Sequence, residues 1–308
     1  MLTRRPILVT GSHRSGTGWV GDMLAATSLP SLGLVWEPFN LTVGRGVCDA
    51  PFRHWFTYIC EDNADAFEAP LRDTLAFRYH PVAAARSIRS PRKAARAVRD
   101  RSRFARMRRA RATALMKDPI AVFSAPWLAD TFDMDVVVTI RHPAAMVASV
   151  MRLGWQHPFE HFLAQPSMMR DVLVEQAETI EWFASEPRSV LDQASLLWAL
   201  VYARVLTYRE VHPEWHFVRH EDLSLEPIAG FEKLYASLDL MWTSEVEAVV
   251  HEHTRAGNAV EVHDPSDHHR NSRAALKSWK RRLTQYEVDR IRSWTEPVAS
   301  AFYDDDDW

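Results

Sequence analysis

The feature that most limits what this chain can fold into is the stretch Gly11 to Leu24, GSHRSGTGWVGDML. It follows the β-branched run PILVT and opens an apolar-periodic segment. Strand, glycine loop and helix in that order form a device in which backbone N–H groups at a helix N-terminus face an anion. A nucleoside-triphosphate loop of this kind reads G-x-x-x-x-G-K-[ST]. Here Gly16 is followed by Thr17-Gly18, so the lysine and the magnesium-binding hydroxyl are missing. The basic side chain, Arg14, sits inside the loop instead. The plain alternative is an ordinary glycine turn between a strand and a helix.

The periodicity around this loop predicts an α/β chain. Strands are expected at 6–11, 32–38, 135–141 and 215–223, and helices at 17–28, 169–184, 190–211, 227–238, 243–256 and 284–303. A further helix opens after Pro143. Residues 54–82 are ambiguous. The segment 83–116 reads as one basic helix interrupted near Pro91, followed by a helical IAVFSAPWLADTF. Strands alternating with helices imply parallel pairing with helices on both faces, hence a three-layer doubly wound sheet in one domain over 1–308. The 308 residues and 47% apolar content suffice for such a core. The tail DDDDW is expected to be solvated.

A second anion site is suggested by TIRHPAAMVASVM. Arg141 leaves a strand, Pro143 opens a helix, and Ser149 lies eight residues after Arg141, about two turns along. An arginine fork with a hydroxyl suits a separate phosphate. A structural ion pair at Arg141 and a packing serine are the alternative. A nucleotide hydrolase commonly ends a later strand with Asp to hold its metal, whereas DVVVTIR ends with Arg141. An anion held without a metal calls for extra arginine and lysine.

Together these stretches resemble the sulfotransferases that use 3′-phosphoadenosine 5′-phosphosulfate (PAPS), closest to the carbohydrate and bacterial branch. SHRSGTGW resembles their 5′-phosphosulfate loop, and RHPAAMVAS their 3′-phosphate motif. WEPFN, MKDP, VRHEDLSLEP and ALKSWKRRL resemble four further elements in the family's order, spanning residues 7 to 283. The resemblance implies a P-loop nucleotide-hydrolase-like sulfotransferase fold and sulfuryl transfer from PAPS to a hydroxyl, here of a carbohydrate or glycan, releasing adenosine 3′,5′-bisphosphate. Gly18 stands where many members have a second Thr or Ser, and His142 where Asp or Asn is usual. The late loop matches loosely, and the arginine-rich 86–111 stretch is not a general family feature.

The donor would be held by Ser12, His13, Arg14, Ser15, Gly16, Thr17, Gly18 and Trp19 at the first site. Arg141 and Ser149 would hold it at the second, and Arg270, Lys277, Ser278 and Trp279 in the late loop. Arg273 and Lys280 are further candidates there. Arg14 and the loop N–H groups would stabilise the leaving phosphate oxygen. The resemblance makes Glu37 the general base and brings Lys117 to the sulfuryl group. Otherwise Glu37 pairs with Arg14 or caps a turn, and Lys117 is a surface lysine. Glu221 and Asp222 are expected to be structural, and His13 to face sulfate or acceptor.

Fourteen histidines invite a metal reading, but no H-E-x-x-H or Cys-His spacing is present, so no metal is expected. Only Cys48 and Cys60 are available for a disulfide, which fits a reducing, cytoplasmic setting. No apolar run approaches the ~20 residues of a membrane span. The net charge of −3 argues against a general nucleic-acid binder. A dozen basic residues nonetheless fall within 86–111, a solvated face or a docking surface for an acidic acceptor or anionic lipid. The competing readings for the whole chain are a P-loop kinase or other phosphotransferase, and a non-catalytic anion- or membrane-binding module.

Overall fold

The computed structural model describes residues 4–26, 31–261 and 267–308. Five strands form one parallel sheet in the order β2-β3-β1-β4-β5. They are β1 (Ile7–Gly11), β2 (Leu32–Trp36), β3 (Thr113–Lys117), β4 (Asp135–Ile140) and β5 (His216–Arg219). The helices in the first half are α1 (Thr17–Ala25), α2 (Asp65–Leu75), α3 (Pro81–Ser87), α4 (Pro91–Arg109), α5 (Ala125–Phe132) and α6 (Pro143–Leu153). Then come α7 (Glu160–Leu163), α8 (Pro166–Asp171), α9 (Ala177–Ser185), α10 (Val190–Val211) and α11 (His220–Leu225). The last four are α12 (Pro227–Ser237), α13 (Ser244–Thr254), α14 (Ser272–Ala275) and α15 (Gln285–Ala299).

Side chains alternate across a strand, and the sheet uses both faces. Ile7, Val9, Leu115 and Val137 pack with Trp19, Met23, Phe231 and Tyr235 under α1, α12 and α13. Leu8, Met116, Val136 and Val138 face the other way, into the core shared with α5, α6, α10 and α15. The three-layer doubly wound architecture follows from that alternation. Helix α10 is long and apolar enough by composition to cross a membrane, contrary to the sequence expectation. Its Trp198, Tyr202 and Tyr208 are fully buried in this core.

The largest departure from expectation is β3. Thr113–Lys117 was expected to continue a basic helix, but it pairs with β1 and β2, placing Leu115 opposite both Ile7 and Leu34. Its residues Ala, Leu, Met and Lys are good helix formers, and burial between two strands overrides that preference. The helix stop is also unmarked, because Arg111 takes the left-handed conformation (φ 51°) that usually advertises a glycine. The ambiguous 54–82 region holds α2 and the start of α3. Residues 169–184 divide into the end of α8, a short 3₁₀ turn and α9. The strand expected at 215–223 ends at Arg219 and continues as α11. Residues 27–28 of the expected first helix, and 262–266 of the late polar loop, lie outside the described residues. The acidic tail folds back: Asp307 approaches Arg219 at 3.5 Å, Asp305 pairs with Arg292, and the Trp308 ring lies 4.6 Å from that of His142.

Candidate active site

The carboxyl ends of β1, β3 and β4 open into a cavity of about 770 Å³. Ligands bind at such strand ends in open α/β sheets. Gly16, in the left-handed region at φ 99°, precedes α1, and Thr17, Gly18 and Trp19 form its first turn at the cavity wall. Ser15 Oγ meets Thr139 Oγ1 at 2.7 Å, tying the loop to β4. Ser12 is fully buried and its hydroxyl has no partner, but it lies on neither cavity wall. His13 lies beside Phe56 and Trp155, and burial, then Arg14, pushes its pKa down to about 4.

The two anion sites expected to be separate meet directly. Arg14 Nε donates to Ser149 Oγ at 3.0 Å, and Arg141 donates to the Arg14 carbonyl at 2.8 Å. Arg14 is depressed to about 10 by burial and then by Arg141, Arg270 and Arg152. Arg270 is likewise depressed to about 10, by burial and then by Arg141 and Arg152. Cations that push one another's pKa down are crowded beyond what nearby carboxylates compensate. Glu261 enters the cluster but is held by Arg282 at 2.6 Å. Arg141, Ser149, Arg152, Arg270, Ser278 and Arg282 line a small adjoining pocket. The Nε atoms of Arg141 and Arg270 are buried without partners. Arg152 and Arg282 were missed in the sequence. Arg152 had a signal, since it lies three residues after Ser149 and so on the same helix face.

The Glu37–Lys117 pair forms between the end of β2 and the end of the missed strand β3. Glu37 follows β2, which β3 separates from β1. The Lys117 ammonium pairs with the Glu37 carboxylate and sits 3.6 Å from the Trp36 ring centroid. Asn40 Nδ2 donates to the other Glu37 oxygen at 2.7 Å. Lys117 is thus a buried ion-pair member rather than a surface lysine, with its pKa lowered by burial against the pull of Glu37. Glu37's partner is Lys117, not Arg14. Arg14 (φ 63°) and Glu37 (φ 47°) both hold the left-handed backbone, a strain that persists when the surroundings fix it. Both side chains line the cavity.

A strand-end aspartate is also present, on β3. Asp118 is fully buried, and its two oxygens accept from the backbone N–H groups of Phe39 (2.7 Å) and Ile120 (3.1 Å). Burial, with Glu37 adding, pushes its carboxyl up to about 8. It anchors the turns after β2 and β3. Among the described residues no group of three His, Cys, Asp or Glu is placed to hold a metal ion.

The late segment divides. Arg270 and Ser278 join the anion cluster. Trp279 is buried and stacks on His142 (centroids 5.1 Å, 9° between planes). Lys277 is exposed and belongs to neither cavity wall. Arg273 turns away to the Leu225 carbonyl at 2.7 Å, and Lys280 to that of Trp308. Glu221 accepts from the His142 N–H and the Tyr303 hydroxyl, both at 3.0 Å, as a structural group would. Two histidines that sequence reasoning did not place at the loop lie against it: His220 packs over Gly16 and His268 over Gly18.

No curated protein sequence matches the chain. Similar solved structures include the sulfotransferase domain from the curacin biosynthetic pathway, at 16% identity over 94% of this chain and 97% of that one, with a TM-score of 0.49. The sulfotransferase domain of the Synechococcus PCC 7002 olefin synthase gives 16%, 98%, 96% and 0.46. Mouse sulfotransferase SULT7A1 complexed with PAP gives 11%, 98%, 85% and 0.42. The family model described as Sulfotransferase family matches residues 6–173. That match covers 168 of the 308 residues (173 − 6 + 1), from the strand before the loop to beyond Arg152, and the chain belongs to the sulfotransferase family.

Proposed function

We propose that the chain transfers the sulfuryl group of PAPS to an acceptor hydroxyl, of a carbohydrate or glycan, with Glu37 as general base. The observation that carries this reading is the cluster of Arg14, Arg141 and Arg270 beside the loop, with the Arg141 and Arg270 Nε atoms buried and unpartnered. A donor with phosphates at both its 3′ and 5′ positions satisfies such a cluster. In the transfer, the sulfur–oxygen bond to phosphate breaks, a bond to the acceptor oxygen forms, and adenosine 3′,5′-bisphosphate leaves.

The α1 N-terminus holds the 5′ end and, with Arg14, meets the charge growing on the leaving oxygen. Arg141, Ser149 and Arg270 hold the 3′-phosphate, which fixes the donor's direction. Glu37, oriented by Lys117 and Asn40, takes the hydroxyl proton. Lys117 supplies a positive charge beside that carboxylate. Acceptor chemistry is read from the wall beyond Glu37. Trp55 and Trp155 line the cavity together with Gln156, apolar surface beside an amide, which suits a sugar.

The test is mass spectrometry of hydroxyl-bearing acceptors incubated with the protein and PAPS. Sulfate addition to a carbohydrate with release of adenosine 3′,5′-bisphosphate is expected. Failure to bind either nucleotide would overturn the donor assignment, and sulfation confined to non-carbohydrate acceptors would overturn the acceptor class.

A further inference from the structure

The α1 turn that meets the anion lacks a side chain at its second position. A Cβ built on Gly18 would lie 2.7 Å from His268 Cε1 and 2.8 Å from its Nε2, closer than real Cβ contacts allow. The His268 imidazole therefore occupies the space that a residue-18 side chain would fill. In a helix the Cβ tilts toward the N-terminus, and here that is the end facing the cavity. His268 also lines the cavity.

The imidazole is fixed from both sides. Its Nδ1 lies 2.6 Å from Asp22 Oδ2, and Asp22 stands one turn after Gly18 on the same face of α1. A carboxylate only accepts, so Nδ1 carries a proton and Nε2 is the free end of the ring. The backbone around it is held by neighbours. Arg270 N donates to the His253 carbonyl at 2.9 Å, the His253 and His269 rings stack at 3.8 Å, and Asn271 N donates to the Ala259 carbonyl at 3.0 Å. One short segment thus brings Arg270 to the arginine cluster and His268 to the loop.

We propose that His268, oriented by Asp22 and seated over Gly18, binds the donor's 5′-phosphate, supplying through its ring the contact that a hydroxyl at position 18 would otherwise make. The contact asks the ring to donate from both nitrogens, to Asp22 on one side and to a phosphate oxygen on the other. This rests on the donor reading given above.

The test is calorimetry with adenosine 3′,5′-bisphosphate and adenosine 3′-phosphate, which differ only in the 5′-phosphate. His268→Ala is expected to weaken bisphosphate binding about 10- to 100-fold, as for a lost hydrogen bond to a charged group. Binding of the 3′-monophosphate stays unchanged. Gly18→Ser alone weakens the bisphosphate, because its Cβ meets His268. The same change in the His268→Ala background restores affinity, because a hydroxyl replaces the ring. A melting curve on each variant checks the fold, and His268→Gln provides a second, bulkier substitution. Equal weakening of both nucleotides would assign His268 to packing alone, and no weakening would remove it from the site; either overturns the proposal. Loss of bisphosphate binding in the unsubstituted protein would overturn the donor reading itself.

Discussion

Arg14 Nε donates to Ser149 Oγ at 3.0 Å, so the loop after β1 and the helix after β4 share a hydrogen bond at the place where each was expected to hold its own phosphate. The hydroxyl orients the guanidinium as well as offering itself to a ligand. Ser149→Ala is expected to weaken adenosine 3′,5′-bisphosphate binding by about 10- to 100-fold, the range of one hydrogen bond to a charged group. Titration calorimetry measures it. Unchanged affinity would show that Arg14 is held by the backbone alone.

The Glu37–Lys117 pair separates catalysis from stability. Glu37→Gln keeps the shape but cannot take a proton, and kcat should fall by ~10²–10⁴. The same change leaves Lys117 buried without its counter-charge, so the melting temperature should fall too. Adding Lys117→Met should recover the stability and not the rate. A folded Glu37→Gln protein with near-normal kcat would mean that another group, or none, takes the proton.

Helix α4 tests the acceptor. Arg92, Arg99 and Arg108 are exposed on it, while Asp100 and Phe104 face inward. Reversing these three arginines to glutamate should raise the acceptor KM, with an effect that shrinks as salt rises, and leave bisphosphate affinity unchanged. Identical acceptor kinetics in the folded variant would assign the helix to solvation alone.

Buried neutral histidine makes the fold acid-sensitive. Burial first, then Lys280 and Arg219, pushes His142 down to about 3 from 6.5, and neither ring nitrogen has a partner. The folded state therefore prefers the neutral ring. The stability it contributes is full above pH 6.5 and is lost as pH falls toward 3, by up to about 1.4 kcal/mol per pH unit. His13 and His220 are shifted in the same direction, whereas Asp118 acts oppositely, stabilising as pH falls below about 8. His142→Phe keeps an aromatic ring against Trp279, so its melting temperature should fall less steeply between pH 6.5 and 4 than that of the unsubstituted protein. Parallel curves would show that His142 is not the titrating group.

Most of the loop and the Arg141–Ser149 helix was legible, because glycine placement, β-branched runs and a proline at a helix start are local signals. β3 was not, since its residues favour helix and Arg111 stops the preceding helix without a glycine. With β3 unseen, neither the Lys117–Glu37 pair nor the buried strand-end Asp118 could be inferred. The place of His268 was equally invisible. Its place over Gly18 depends on a segment 250 residues away in sequence folding back across α1 (268 − 18).

The central claim is that an arginine cluster, reading phosphates at two positions, holds the donor. Isothermal calorimetry in EDTA, comparing adenosine 3′,5′-bisphosphate with adenosine 5′-phosphate on the unsubstituted protein and on Arg141→Ala, tests it most directly. The account predicts tight bisphosphate binding without divalent metal and much weaker 5′-phosphate binding. Arg141→Ala should erase most of the difference, at ~2–5 kcal/mol for one partner of a desolvated charge pair. Equal binding of the two nucleotides, or bisphosphate binding that appears only with added magnesium, would contradict it.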